Sequence, residues 1–348
     1  MSAAEVKDPI GHPGNRLSSR VLVAMVFHSD TDALASCIAS LCTEGLTGNI
    51  VVCDTSANGV GRAIAVEHGV LWCDGSRNAG YAWASQLVAD AYPDYDVIVV
   101  SNSDVCFVDG ALGRLISHSL EFGGVCYGLQ KTSEGAVASY SVHSQLSARE
   151  SIARWTGIGR RRFRTVVNSV TLRGAQSTAP VRIPSGFAGS GAVIVVPKDI
   201  WLKSGGLDPD YFLFDEDRSF GKELEHLGIP AYLCGDCEII HDGGFRSRDR
   251  SVAAILECVI SEQISWRKQS VGANFVLFSI QLVGLLTRMA SAMILGRWHD
   301  VTVYSTVLRM VVKFIRGGTA NLYGEDGLRV PATDSWFDHR HHDKPPSA

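Results

Sequence analysis

What the chain lacks narrows its class. It has no excess of positive charge: 32 Lys and Arg stand against 36 Asp and Glu, for a formal net charge of −4. Proteins that gather nucleic acid carry a basic footprint, so nucleic acid is not an expected partner. No G-x-G-x-x-G turn follows any apolar run, which speaks against a dinucleotide dehydrogenase. The glycine-rich phosphate loop expected of a nucleotidyltransferase is also missing after the first apolar run. Met1–Arg20 contains no apolar core of a signal peptide and reads as a disordered tail. The nine cysteines are odd in number and scattered, and several, such as Cys53 and Cys126, lie in apolar runs. They read as buried thiols in a reducing compartment. Cys234 and Cys237 form one C-x-x-C, with no second ligand pair in the sequence to complete a structural zinc site.

What is present is a regular alternation. Apolar runs of strand length occur at 21–27, 49–53, 70–73, 96–100 and 123–129. Helical-period segments lie between them at 33–41, 61–69, 81–92 and 111–120. Near-continuous apolar strands alternating with helices predict an α/β fold with a mostly parallel central sheet covered on both faces. Ligands bind such sheets beyond the carboxyl ends of the strands. Those ends read His28-Ser29-Asp30, Asp54-Thr55-Ser56, Asp74 to Gly80, and Ser101-Asn102-Ser103-Asp104. One polar strand end is ordinary helix capping; four on one edge point to a site.

Further on, residues 145–182 contain Arg149, Arg154, Arg160, Arg161, Arg162, Arg164 and Arg173 among their eight arginines, with Glu150 the only acid. This segment reads either as a solvated loop or as a contact for phosphates or anionic lipid. The run 186–197 predicts a buried strand ended by Pro197. A helix is expected from about Asp215, with Glu216 and Asp217 in its first turn, where acids complement the helix dipole. A short strand, 238–240, ends in His241 beside Gly243 and Gly244.

Taken in order, these motifs resemble the family-2 glycosyltransferases of the GT-A fold, most like the branch containing bacterial rhamnosyltransferases and galactofuranosyltransferases. The resemblance spans residues 20–250. It rests on Phe27-His28-Ser29, Cys53-Asp54-Thr55-Ser56, Asn78-Ala79-Gly80-Tyr81, Asn102-Ser103-Asp104, Ser190-Gly191-Ala192, Gly205-Gly206-Leu207-Asp208 through Phe212 to Asp217, and His241-Asp242-Gly243-Gly244. It implies an inverting transfer of a sugar, such as rhamnose, another deoxyhexose or galactofuranose, from a nucleotide diphosphate sugar to a glycan or lipid-diphosphate-linked acceptor of the cell envelope. It also implies a divalent cation, Mn²⁺ or Mg²⁺, on Asp104 and His241, with Asp217 as the base and Glu216 as runner-up. Phe27, His28, Ser29, Asp54, Asp74, Arg77, Asn78 and Asn102 would hold the nucleotide. Ser190, Gly191 and Glu216 would lie along the sugars. Two positions depart from the pattern: Asn102 stands where an Asp is common, and Ser219 where a second acid is common. A glycosyltransferase-like binding or assembly protein without catalysis is the alternative they leave open.

The expected domains are a tail (1–20), a catalytic domain (21–250), a helical region (251–325) that associates with membrane or forms an oligomer, and a flexible tail (326–348). The segment 274–296 is long enough to span a bilayer, yet Gln281 and Arg288 sit inside it. A charge at mid-bilayer costs on the order of 2.5–3.5 kcal/mol on insertion scales. With Arg267, Lys268, Arg297, Arg309, Lys313 and Arg316 nearby, an arrangement lying in the interface fits better than a span. A pair of core or dimer helices is the other reading. The expected location is cytoplasmic, peripheral at the inner face of the plasma membrane.

Overall fold

A computed structural model describes residues 20–56, 58–138, 140–242, 252–269, 274–317, 322–324 and 326–331. The expectations for residues 1–19 and 332–348, for Gly243 and Gly244, and for the side chains of Lys313 and Arg316 lie outside the described residues. The chain forms two compact units.

The first unit holds the sheet. Strands β1 (Val21–Phe27), β2 (Ile50–Asp54), β3 (Leu71–Asp74) and β4 (Val97–Asn102) alternate with helices α1 (Thr31–Thr43), α2 (Val60–Glu67) and α3 (Tyr81–Ala91). They pair in parallel in the order β3-β2-β1-β4. The strand order reverses between β1 and β4, which creates a crevice at their carboxyl ends where ligands bind in such sheets. Register brings those ends level: Phe27 pairs with Asp54, Asp54 with Asp74, and Val26 with Asn102. Both faces of the sheet are covered. Tyr81, Ala82 and Val88 of α3 pack on one side; Leu34, Ile38 and Leu41 of α1, with Ala65 of α2, pack on the other.

Beyond β4 the sheet is mixed rather than parallel. The elements are β5 (Cys106–Phe107), α4 (Ala111–Phe122), β6 (Val125–Lys131), β7 (Val142–Ser144), α5 (Ala148–Thr156), α6 (Arg160–Ala175), β8 (Val181–Arg182), β9 (Phe187–Gly189), β10 (Val193–Pro197), α7 (Lys198–Ser204), α8 (Glu216–His226) and β11 (Ala231–Ile240). Strand β10 inserts antiparallel between β4 and β6. Strand β11 runs parallel to β6 and carries β5 and β8 antiparallel to it. An apolar run shows that a strand is buried but not which way it points, so the sequence alone does not disclose this reversal. Strand β11 is also ten residues long, against the short strand expected. The arginine-rich segment contains two helices rather than a loop. Arg149, Arg160, Arg161, Arg162, Arg164 and Arg173 are exposed there, and Arg154 is not.

The second unit comprises Leu146–Arg160, Pro209–Asp215 and the chain from Phe245 on. This grouping sets α5 and the Pro209–Asp215 turn with the C-terminal helices, whereas the sequence alone suggests a boundary near residue 250. These are α9 (Val252–Gln269), α10 (Asn274–Ile294) and α11 (Trp298–Gly317). Leu256, Val259, Ile260, Leu285, Val307 and Val311 form its core. Fully buried Glu262 accepts hydrogen bonds from the Ser151 hydroxyl, the Trp155 indole and the Gln281 amide, the last at 2.8 Å. Arg154 forks both oxygens of Asp215 at 3.0 Å. That pair pins a turn in which Phe214 and Asp215 hold φ of 69° and 67°, a left-handed conformation that costs roughly 1–2 kcal/mol per L-residue. Arg329 is buried and pairs with Glu257 at 3.1 Å, so the tail expected from 326 begins with packed chain.

Helix α10 is long and apolar enough to cross a membrane, yet 28 % of its most apolar window is buried. Two of its polar residues face the unit. Gln281 is fully buried, and Arg288 donates to the Arg154 carbonyl at 2.6 Å with its guanidinium 4.7 Å from the Trp155 ring. Phe275, Val276, Val283, Leu286, Met293 and Ile294 are exposed.

Candidate active site

The site is built at the carboxyl edge of the sheet unit. Strand β5 pairs antiparallel with the end of β11, Cys106 opposite Ile240. Asp104 precedes β5 and His241 follows β11, so this short pairing brings together two residues far apart in sequence. His241 Nε2 lies 3.4 Å from Asp104 Oδ1. The parallel β6–β11 ladder sets Gln130 opposite Ile239, and Gln130 Oε1 receives His241 Nδ1–H at 2.9 Å. The His241 N–H donates to the Lys131 carbonyl at 2.9 Å, and the Tyr140 hydroxyl donates to the His241 carbonyl at 2.6 Å. With Nδ1 held by Gln130, Nε2 is the ring nitrogen that faces Asp104, the geometry by which a second partner fixes a ligand imidazole.

Burial alone would raise the Asp104 carboxyl; the hydrogen bond and charge of His241 outweigh it and hold the group below the usual carboxylate range. The Asn102 side chain also donates to Asp104. Asn102 therefore braces the carboxylate from its own strand end, while its backbone N–H donates to the Ala192 carbonyl at 2.9 Å.

A second cluster forms where α8 meets the turn before β10. Asp217, in the first turn of α8, accepts from the Gly191 N–H at 2.9 Å through Oδ2 and from the Arg218 N–H at 2.7 Å through Oδ1. A Cβ on Gly191 would stand 3.2 Å from the Asp217 Cβ and 3.4 Å from Glu216 Oε1, so the two acids close directly on this position. Ser190 is buried beside it, its N–H donating to the Ser141 carbonyl at 3.1 Å. The Tyr81 hydroxyl donates to the Gly191 carbonyl at 3.0 Å. Burial, then the charges of Glu216, Asp104 and Asp217, push the Tyr81 phenol well up, so it stays a neutral donor. All three carboxylates thus act on one hydroxyl.

The expected nucleotide residues line the neighbouring strand ends. Phe27 is buried, and its carbonyl accepts from the Thr55 N–H and hydroxyl at 2.9 and 2.7 Å. His28 and Ser29 are exposed after it, with the His28 ring 3.3 Å from Thr55 Oγ1. Asp54 differs from the expectation of an open recognition group. Its Oδ1 accepts from the Ser56 N–H and hydroxyl at 2.9 and 2.6 Å, and Oδ2 from the Arg62 N–H at 2.8 Å, so the carboxylate braces its own loop. Asp74 and Arg77 stand in an exposed turn in which Asn78 has φ of 44°.

The sequence assigns no role to three residues of the site. Gln130 sits inside an apolar strand with nothing around it to signal a role. Tyr81 stands within a motif with no function attached. His143, on β7, lies 3.7 Å from Asp217 Oδ2; only the β7–β9 pairing, His143 opposite Ala188, reveals it.

No family model and no characterised protein matches the chain by sequence. Among solved structures it is similar to GalNAc-T7 with UDP, GalNAc and Mn²⁺, at 14 % identity and a TM-score of 0.46 over 68 % of this chain. It spans about half of that relative, 47 % of its length. It is also similar to the mannosyltransferase PcManGT from Pyrobaculum calidifontis in complex with GDP-Man and Mn²⁺, at 13 % identity and a TM-score of 0.49 over 85 % of each chain. At so low an identity the chemistry has to be carried by the residues of this chain.

Proposed function

We propose that the chain is a glycosyltransferase of the GT-A type. It moves a sugar, with inversion, from a nucleotide diphosphate sugar to an acceptor hydroxyl, assisted by Mn²⁺ or Mg²⁺. The observation that carries this reading is the Asp104–His241 pair, set at the carboxyl edge beside the crevice between β1 and β4 and braced from behind by Gln130 and Asn102. One carboxylate oxygen and one pre-oriented imidazole fit a divalent cation whose other positions go to phosphate oxygens, and imidazole suits Mn²⁺ better than Mg²⁺. Asp104 and His241 would hold that cation, which supplies Lewis-acid neutralisation of the leaving diphosphate.

The remaining steps belong to the protein. Asp217 takes the proton of the acceptor hydroxyl as its oxygen attacks the anomeric carbon. The Gly191 and Arg218 N–H groups fix the carboxylate in one orientation for that transfer, and geometry comes first for a base. Glu216 and Ser190, on either side of Gly191, would contact the sugars. The strand ends Phe27–Ser29 and Asp74–Asn78 would receive the nucleotide. Rhamnose, another deoxyhexose or galactofuranose would be the sugar, and a glycan or lipid-linked molecule the acceptor. Asn102 is one ground for the alternative, a binding protein without catalysis; its hydrogen bond to Asp104 makes it a support for the site instead. Screening nucleotide sugars for Mn²⁺-dependent hydrolysis tests the reading: turnover lost in Asp104→Asn and Asp217→Asn supports it, and tight donor binding with no turnover under any condition favours the alternative.

Helix α10 supports a peripheral location at the inner face of the plasma membrane. Its apolar residues from Phe275 to Ile294 are largely outward, while Gln281 and Arg288 are satisfied inside the unit. A helix with this division lies in the interface. Flotation with anionic vesicles should carry the full chain, and alkaline carbonate should release it. Absence from vesicles together with a concentration-dependent dimer would assign the face to a second copy.

A further inference from the structure

Strand β11 does not run evenly. Its pairing with β6 is regular from Ala231 opposite Val125 to Cys234 opposite Gly128, then resumes with Glu238 opposite Leu129. Gly235, Asp236 and Cys237 are left over as a bulge, a device that re-aims side chains. The bulge is closely built. A Cβ on Gly235 would meet the Gly174 carbonyl oxygen at 1.7 Å, so only glycine lets the chain pass. Arg114 Nε donates to the Asp236 carbonyl at 3.0 Å.

The bulge aims a carboxylate and a thiol at a histidine of α4. Asp236 Oδ2 lies 3.0 Å from His118 Nε2, and Cys237 Sγ lies 3.5 Å from Asp236 Oδ1. The ligand atoms of His118, Asp236 and Cys237 all lie within 4.8 Å of one another. Bonds of ~2.0–2.3 Å in a tetrahedral zinc site place ligand atoms about 3.3–3.8 Å apart, so these three need shifts of only an ångström or so. Cys234 lies outside this cluster, its thiol placed beside those of Cys126 and Cys237. In the sequence the C-x-x-C has no second ligand pair; the fold brings His118 from a helix and Asp236 from between the cysteines to Cys237. An ion pair between His118 and Asp236 needs neither thiol nor bulge.

We infer that His118, Asp236 and Cys237 form a three-residue zinc site, its fourth position left to water, separate from the Asp104–His241 pair. Imidazole with thiolate and carboxylate is a zinc-type donor set, softer than one made for Mg²⁺. The site would clamp the bulge of β11 to α4 and so fix the strand that ends in His241.

Metal analysis of the full chain, purified without chelator, tests this. The expected result is about one zinc per chain, with a thiolate-to-cobalt charge-transfer band after Co²⁺ exchange, as thiolate ligation requires. Cys237→Ser and His118→Ala should each lose the zinc, whereas Asp104→Asn should keep it. Thermal melts of the two variants should match that of metal-stripped wild type, which separates loss of a ligand from loss of the fold. Zinc-free protein without a thiolate band on Co²⁺ addition, or zinc held equally by Cys237→Ser, overturns the inference. Neither result bears on sugar transfer, because the Asp104→Asn arm reports on that site alone.

Discussion

Two polar clusters, one in each unit, are made of similar residues and finished differently. In the helical unit, Glu262 is buried with a donor on each side from Ser151, Trp155 and Gln281. Burial pushes its carboxyl up, against the pull of Arg154 and the three donors. In the sheet unit, His241 is held from behind by Gln130, and Asp104 keeps 37 % of its side chain exposed. A closed cluster specifies how helices pack; an open pair of braced ligands is ready for something from outside. The mark of a site is therefore less its polarity than polarity left incomplete at the front and secured at the back.

This contrast can be broken or sharpened by substitution. The largest effect falls on Asp217: Asp217→Asn should lower kcat by roughly 10²–10⁴-fold, the range for a lost general base, with donor affinity nearly unchanged in a binding titration. Full turnover in the variant would move the base to Glu216. Next, Glu262→Ala leaves three buried donors unanswered and should cost about 3–5 kcal/mol in denaturant unfolding, as breaking a buried charged contact does. A cost under about 1 kcal/mol, the scale of one ordinary hydrogen bond, would mean the cluster is not closed. Gln130→Met keeps the volume but removes the acceptor behind His241. Metal affinity should fall by ~10–100-fold, the usual effect of losing such a partner, while the melting temperature changes little. The smallest effect concerns acid. Asp104 has its carboxyl lowered from 3.8 in the fold, so its ionised form stabilises the protein above that pH, and this contribution is lost as pH falls through the folded value. Asp104→Asn should give a shallower loss of stability below about pH 4, read from melts across pH; an unchanged slope would show that the pair contributes nothing to the fold.

Much of the sheet is legible in the amino acids themselves. The runs at 21–27, 49–53, 70–73 and 96–100 correspond to β1 to β4 within a few residues, because β-branched apolar runs buried on both faces have few other fates. Asp104 and His241 are readable as a pair only through the motif series; their spacing shows nothing until β5 and β11 pair. The illegible parts share a cause. The reversal of β10, the bulge of β11 and the recruitment of α5 to the C-terminal helices are set by partners distant in the chain. Gln130 illustrates this most simply, since a glutamine among Tyr127, Gly128 and Leu129 carries no local sign that a histidine ring will sit against it.

Asp104 and His241 are proposed as one metal site serving a nucleotide diphosphate sugar. This is tested most directly by titrating Mn²⁺, followed by its paramagnetic resonance, into the wild type, Asp104→Asn and His241→Ala with a hydrolysable donor present. The expected result is donor-dependent Mn²⁺ binding in the wild type and at least tenfold weaker binding in each variant. Mn²⁺ binding equally tight in all three proteins, or donor turnover untouched by chelator, would contradict it.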